Sequence, residues 1–391
     1  MLRGMKRIPP SHRVALLLPN LELGGAERQG VELALGLKRA GWHVIVIVAE
    51  AHGPLEARLR ESGIEVHDLR TEFWRPRSTV GFWLNFLQSL LLLRRILRAN
   101  RIAIAQSFLF WQNVLLVFAA FGLRCVKAVI TGRRSMGEYK DGRWHYQPIE
   151  NLANLLTAHV VCNSQEVLRD ALKRESFIRG KISVIANGVD GSRFRADSGH
   201  EQIDAFNTVT IGTVGNLKRE KRHDLLLRAF SQVAARHLNA RVVIAGRDRG
   251  EEAALAALAS ELFLSDRVEF LGAVEADAAL YHSFDVFVLS SDEEGMPNVL
   301  LEAMACGCAI VTTDVGGVRN LVRNGEHALV VPVRNEKALA DAMLRLIDDT
   351  ALRQRLGRNA SRRAHARFTT AAMARSYRNL YQRLTARGRR P

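Results

Sequence analysis

At 391 residues the chain is too long for one ordinary core, so it reads as two domains. Its 48% apolar and 25% charged residues are globular values, and its four cysteines, none with zinc-ligand spacing, exclude a disulfide framework. A formal net charge of +16 favours a polyanionic neighbour, nucleic acid, an anionic membrane surface or phosphorylated substrates, with a basic proteome or simple solubility as the plainer alternative.

The opening MLRGMKRIPPSHRVALLLP has too short an apolar run for a signal peptide, and Pro9, Pro10 and His12 interrupt the approach to it. Residues 14–19 (VALLLP) read as a buried strand, LELGGAER as a glycine turn, and 26–40 as a helix closed by Gly41. HVIVIVA (43–49), EVHDL, a long helix around 82–97, IAIAQSF, AVI (128–130) and HVVCNS (159–164) continue the alternation. Residues 102–123 carry no charge and are long enough to span a bilayer. Gln106, Ser107, Gln112 and Asn113 fall in the middle, however, so the stretch reads as a strand, a turn and a helix from about Asn113. The helix before it puts Trp83, Phe86, Leu87, Leu90 and Leu93 on one stripe, with Arg94, Arg95, Arg98 and Arg101 near its end. A basic amphipathic helix suits an anionic membrane surface; a core-facing helix with an arginine-rich end fits the same pattern.

A strand ending in Asn187-Gly188 leads into a polar, aperiodic stretch, where the domain boundary falls. The alternation then starts afresh: 208–215, a helix at 224–237, RVVIAG (241–246), a helix around 251–263, RVEFLG, DVFVLSS, AIVTTD, GGVRNLV, ALVVPV and a helix from about Glu336. The last segment, from about Phe368, is helical and basic, with Tyr377 and Tyr381 one turn apart. Short apolar strands alternating with helices mean parallel sheets covered on both faces. The expected fold is α/β: two tandem Rossmann-like doubly wound domains facing a cleft. The expected division is a first domain over 1–190, a linker over 191–207, a second domain over 208–367, and a helix over 368–391 that packs back on the first domain.

The stretch with most chemistry is SDEEGMPNVLLEAMACG, 291–307. It follows a strand, so its loop lies at the strand's carboxyl end, where ligands of such sheets bind. Gly295 and Pro297 make a bend into a helix whose first amides, around Asn298, Val299 and Leu300, form an anion site suited to phosphate. Glu302 lies one turn on, within reach of a ribose diol, and Glu294 lies before the bend, on the open side. Phosphate, diol and a further polyhydroxylated group describe a nucleotide sugar. From spacing alone, a helix N-terminus with acidic residues favoured by its dipole reads equally well.

The stretch Glu294-Gly-Met-Pro-Asn-Val-Leu-Leu-Glu302 resembles the E-x7-E signature of retaining glycosyltransferases of the family 4 type, which have the GT-B fold. The resemblance runs over nearly the whole chain: Gly24-Gly25-Ala26-Glu27 is similar to the family's N-terminal glycine loop, Asn187-Gly188-Val189-Asp190 to its interdomain turn, and 213–230 to the start of its donor domain. EAMACG and Gly316-Gly317 continue it. It implies that Glu302 holds ribose hydroxyls and Glu294 contacts the donor sugar near its reacting carbon. It implies that Lys221 binds the diphosphate, that amides near Val299 and Leu300 meet phosphates or sugar, and that Gly24 and Gly25 let backbone approach the reaction centre.

The chain departs from the family pattern at three places. Asn216 stands where many relatives have arginine, with Arg219 and Arg222 nearby as replacements; TGRRSMGEYK offers Arg133 and Arg134, as acceptor-side candidates, in place of a frequent histidine; and Asn320 replaces an acidic residue. The implied activity is transfer of a sugar from a nucleoside diphosphate, most often uridine and alternatively guanosine, to an acceptor hydroxyl with retention, in surface polysaccharide or glycolipid assembly. Lys221 and helix amides would stabilise the leaving diphosphate without a metal or other cofactor. The implied partners are the nucleotide sugar, a glycan or lipid-linked acceptor and an anionic membrane surface, in a cytoplasmic setting or at the inner face of the cell membrane. A nucleotide-sugar epimerase or hydrolase on this architecture is the nearer rival. A nucleic-acid-binding protein is the farther one, since the chain has no zinc finger or RNP motif.

Overall fold

A computed structural model of the chain describes residues 9–50, 53–70, 79–196 and 208–387. Residues 197–207 of the expected linker lie outside them. The chain divides into two compact units: Met1–Gly188 together with Thr370–Pro391, and Val189–Thr369.

The first unit holds β1 (Arg13–Leu18), α1 (Gly25–Arg39), β2 (His43–Val48), α2 (Leu55–Glu61), β3 (Glu65–Asp68), α3 (Thr79–Ala99), β4 (Ile104–Ser107), α4 (Phe110–Ala120), β5 (Ala128–Arg133), α5 (Tyr146–Leu156), β6 (His159–Cys162), α6 (Gln165–Arg174) and β7 (Ile182–Val184). Its strands form one parallel sheet in the order β3-β2-β1-β4-β5-β6-β7. Strands covered on both faces need apolar side chains throughout, which is why β1 and β2 read as unbroken aliphatic runs. The uncharged stretch is β4 and α4, and two of its polar residues pair inside: Ser107 Oγ donates to Asn113 Oδ1 at 2.7 Å, and Asn113 Nδ2 donates to the Gly132 carbonyl at 2.9 Å.

The second unit holds β8 (Val209–Val214), α7 (His223–Ala234), β9 (Ala240–Ala245), α8 (Glu252–Glu261), β10 (Val268–Gly272), α9 (Ala278–His282), β11 (Val286–Leu289), α10 (Asn298–Cys306), β12 (Ala309–Thr313), α11 (Val318–Leu321), β13 (Leu329–Val331), α12 (Glu336–Asp348) and α13 (Thr350–Arg367). Its parallel sheet runs β10-β9-β8-β11-β12-β13. The single helix read from Glu336 onward is two, because Asp349 breaks the run and its carboxylate caps α13 at the Leu352 amide, 2.8 Å away.

The chain then returns to the first unit as α14 (Thr370–Arg387). A Cβ at Gly36 of α1 would lie 2.8 Å from Ala374 Cβ, so glycine permits this close helix approach. Tyr377 and Tyr381 are fully buried beneath α14, and Tyr381 donates to Gln106 Oε1.

Both sheets reverse winding direction beside their first strand. In the second unit the switch point lies between β8 and β11; in the first it lies between β1 and β4. The loops leaving the carboxyl ends of those four strands are where ligands bind in such folds.

Candidate active site

In the second unit the loop after β8 makes a single 3-10 turn at Arg219–Lys221, and the loop after β11 runs from Ser290 to Pro297. Two bonds tie the loops together: the Asp292 amide donates to the Glu220 carbonyl at 2.9 Å, and Ser290 Oγ donates to the Lys221 carbonyl at 3.0 Å. The consequence is a direct ion pair, Lys221 Nζ to Glu294 Oε1 at 2.6 Å. Ser291 Oγ donates to the same carboxylate oxygen at 2.9 Å, and Thr313 Oγ1 holds the Ser291 carbonyl at 2.6 Å. The Lys221 side chain is 24% exposed and that of Glu294 11%, so the pair stands at the surface of the site.

Pro297 precedes α10 with extended backbone angles, and the first helical bond runs from the Leu301 amide to the Pro297 carbonyl. The amides of Val299 and Leu300 therefore come before any intrahelical acceptor and, with that of Asn298, form the positive end of the helix. Gly307 closes α10 in the left-handed conformation, φ 80°, with Cys308 N–H on the Ala303 carbonyl and Gly307 N–H on the Met304 carbonyl. The loop before α10 is pressed against the next strand's exit. A Cβ at Gly316, φ 33°, would lie 1.7 Å from the Glu294 carbonyl, and one at Gly317 would lie 2.2 Å from that of Gly295. The glycine pair is thus required by close backbone approach to the Glu294–Gly295 loop.

Glu302 is buried, and Tyr281 Oη donates to its Oε2 at 2.6 Å. Tyr281 is fully buried too, in contact with Phe194, Phe284 and Phe287. This clamp has no sequence signal: Tyr281 is a lone tyrosine in a five-residue helix, without periodicity. Asn216 is half-buried in the loop after β8, and a Cβ at Gly246 would sit 2.0 Å from the Gly215 carbonyl, so β9 also exits close beneath it.

Arg222, expected on the donor phosphate, is held by its surroundings. It stands in the left-handed region, φ 53°, and its guanidinium is bidentate to Asp224 at 2.9 and 3.0 Å and bound to Asp292 at 3.0 Å. It fixes the start of α7. Arg219 remains exposed. The neighbouring His223 is buried, and burial first, with the Lys221 charge behind it, lowers its pKa to about 4.

In the first unit Gly24 precedes α1 and Gly25 begins it. A Cβ at Gly24 would lie 2.1 Å from Glu27 Oε2, so that carboxylate folds back over the glycine. Gln29 pins the end of the unit, exchanging two bonds of 2.9 Å with the backbone of Gly188. A cavity of about 360 Å³ opens at the carboxyl ends of β1, β4 and β5, lined by Pro19, Phe108, Phe110, Trp111, Arg134 and Tyr146 among others. Arg134 lies over the Phe108 ring at 4.7 Å and donates to Asn187 Oδ1 at 2.7 Å and Tyr377 Oη at 3.1 Å. Arg133, the other acceptor-side candidate, lines the same cavity. Its guanidinium is buried, 2.8 Å from Glu150 and 3.5 Å from Glu175, and Lys140 completes the cluster on the same two carboxylates. Among the described residues no three His, Cys, Asp or Glu side chains gather to hold a metal ion.

Two parallel α/β units, each with its loops at a switch point, are the GT-B architecture. A family model for Glycosyltransferase Family 4 matches residues 23–193, and one for Glycosyl transferases group 1 matches 201–363. The chain is 32% identical over 295 residues to D-inositol 3-phosphate glycosyltransferase of Corynebacterium jeikeium (strain K411), covering 72% of this chain and 69% of that one. It is 30% identical over 220 residues to the lipopolysaccharide core biosynthesis mannosyltransferase LpcC of Rhizobium leguminosarum bv. viciae, covering 54% and 62%. Among solved structures, HepE of Anabaena in complex with UDP matches 95% of this chain and 100% of its own, with a TM-score of 0.80 and 20% identity. The chain belongs to the group 1 and family 4 glycosyltransferases.

Proposed function

We propose that the protein transfers a sugar from a nucleoside diphosphate donor, UDP-linked, to a hydroxyl of a glycan or lipid-linked acceptor, with retention at the anomeric carbon. The observation that carries this reading is the Lys221–Glu294 pair set before the amide end of α10, with Glu302 held by Tyr281 inside the same helix. The diphosphate takes the α10 amides and Lys221, the ribose diol takes Glu302, and Glu294 faces the sugar. In the step itself the bond from the anomeric carbon to the diphosphate oxygen breaks, and the acceptor oxygen bonds to that carbon from the same face. The acceptor's proton passes to the departing phosphate oxygen. Lys221 and the amides stabilise charge as it develops on the diphosphate, with no metal ion assigned a role. The similarity to LpcC, a lipopolysaccharide core biosynthesis mannosyltransferase, supports a surface-glycan or glycolipid product. The aromatic cavity of the first unit, with Arg134 in its wall, is assigned to the acceptor. The free cysteines suit a cytoplasmic setting.

The test is a product assay with UDP-sugars and a panel of glycan and lipid-linked acceptors, with and without chelator. Acceptor-dependent glycoside of unchanged anomeric configuration, chelator-insensitive, is the expected result. Sugar release or epimerisation without an acceptor overturns the transferase reading, and an inverted product overturns the same-face step.

A further inference from the structure

The helix α3 is apolar on two faces, and only one of them is used by the fold. Leu93 and Leu97 are fully buried against Leu17, Ile45 and Leu116, while Phe86 and Leu90 pack half-buried beside them. The stripe read from the sequence is therefore split: Phe86, Leu90 and Leu93 face the core, and Trp83 and Leu87 do not. The opposite stripe is Val80, Trp83, Leu84, Leu87, Leu91 and Leu92, each between 37% and 69% exposed. Those positions recur at three- and four-residue steps, one continuous face about 18 Å long. Scattered surface leucines need no explanation; six large apolar side chains on one face do.

We propose that this face of α3 docks on an anionic lipid bilayer, lying in its interface. The charge pattern selects the occupant. From residue 79 to residue 101 the chain has no acidic residue and four arginines, Arg94, Arg95, Arg98 and Arg101. Arg95 and Arg98 extend the exposed stripe beyond Leu91 and Leu92. Arg94 reaches across to the Ala119 and Phe121 carbonyls at 3.0 and 2.6 Å, which sets Phe121, 63% exposed, beside the basic end. A second copy of the same face would offer these arginines no carboxylate in either helix direction. Lipid headgroups answer them, and acyl chains take the leucines. The helix is long and apolar enough to cross a membrane, but its other face belongs to the core, so it lies on the bilayer. This surface stands on the geometry of α3 and is independent of the transferase reading.

The test is cosedimentation of the full chain with vesicles of phosphatidylcholine alone or mixed with phosphatidylglycerol. Wild-type protein is expected to sediment with the anionic vesicles at low salt and much less with the zwitterionic ones. The triple variant Trp83→Ser, Leu87→Ser, Leu91→Ser, altered only at exposed positions, should retain its melting temperature and bind at least about tenfold less. Phe263→Ser, at an isolated aromatic 94% exposed in the other unit, should bind as wild type. Wild-type protein left in the supernatant, or a triple variant that binds undiminished, overturns the proposal; equal binding to both vesicle types overturns the anionic assignment. A dimer that the triple variant disperses, without vesicle binding, assigns the face to a second copy instead.

Discussion

Lys221 and Glu294 neutralise one another across 2.6 Å, and on the proposed reading an incoming diphosphate would compete with Glu294 for the ammonium. Removing Lys221 leaves the developing diphosphate charge to the α10 amides alone. Lys221→Ala should therefore lower turnover by about a hundredfold or more. Glu294→Ala should lower turnover while leaving free UDP bound nearly as tightly, since its proposed partner is the sugar. Glu302→Ala should weaken donor and free UDP alike, and Tyr281→Phe, which removes the hydrogen bond that aims Glu302, should do the same more weakly. Calorimetric titration of UDP beside initial rates separates these outcomes, and equal loss of melting temperature with unchanged rates would reduce all four residues to a structural role. The second residue-scale prediction concerns His223. Unfolded, it titrates near its ordinary 6.5; folded, burial lowers it to about 4. Between those values the unfolded chain binds more protons, so stability rises with pH across the window and is lost as pH falls through it. The full effect is on the order of 3 kcal/mol. In denaturant titrations from pH 7 to 4, His223→Gln should flatten this slope, and an unchanged slope assigns the acid sensitivity elsewhere.

At the level of elements, what can be read from the chain depends on how local the determinant is. The strands were legible because burial on both faces demands unbroken aliphatic runs, and α10 because Gly295, Pro297 and Gly307 mark its two ends. The donor-side loops follow from the same signals. The helices α5 and α6 were not read, since Pro148 interrupts the first turn of α5 and only Val167 and Ala171 of α6 are buried. The Tyr281–Glu302 clamp and the Arg133 cluster stayed invisible because their partners come from distant segments. That cluster joins β5, the turn at Lys140, α5 and the end of α6 through Arg133, Lys140, Glu150, Asn154 and Glu175. Burial disfavours charge on both acids: at Glu150 it prevails and raises the carboxyl, whereas at Glu175 the Arg133 charge, the hydrogen bond shared with Glu150 and the Lys140 charge together outweigh it and the carboxyl is lowered. Glu175→Ala would strand buried cations, at a cost of about 3–5 kcal/mol. The expected result is an earlier denaturation transition of the first unit and an unmoved transition of the second; a surface-like effect below about 0.5 kcal/mol would show the cluster to be open to water.

Over the whole molecule, the covalent order and the two compact units do not coincide. The chain completes the second unit and then returns α14 to the first. This last helix buries Met373, Tyr377, Leu380 and Tyr381 to 3% exposure or less, against Val14, Leu16, Trp42 and their neighbours. It also supplies hydroxyls that buried groups depend on: Tyr381 Oη serves Gln106, and Tyr377 Oη accepts from Arg134. Each large side chain of this kind contributes about 1.5–3 kcal/mol by burial. Four of them approach the roughly 5–15 kcal/mol that holds an ordinary domain together. A chain ending at Thr369 should therefore lose the fold of its first unit and retain that of its second, whose main hydrophobic cluster lies between Val209 and Leu356. Limited trypsin digestion checks this directly. The full chain should yield protection over both units, and the shortened chain a resistant fragment from the second unit alone, still binding UDP if Lys221, Glu302 and the α10 amides form the donor site. Persistence of a resistant first unit would mean that α14 rests on a core already sufficient without it. Loss of both fragments would mean that the second unit depends on the first for its stability, against the separation of their cores.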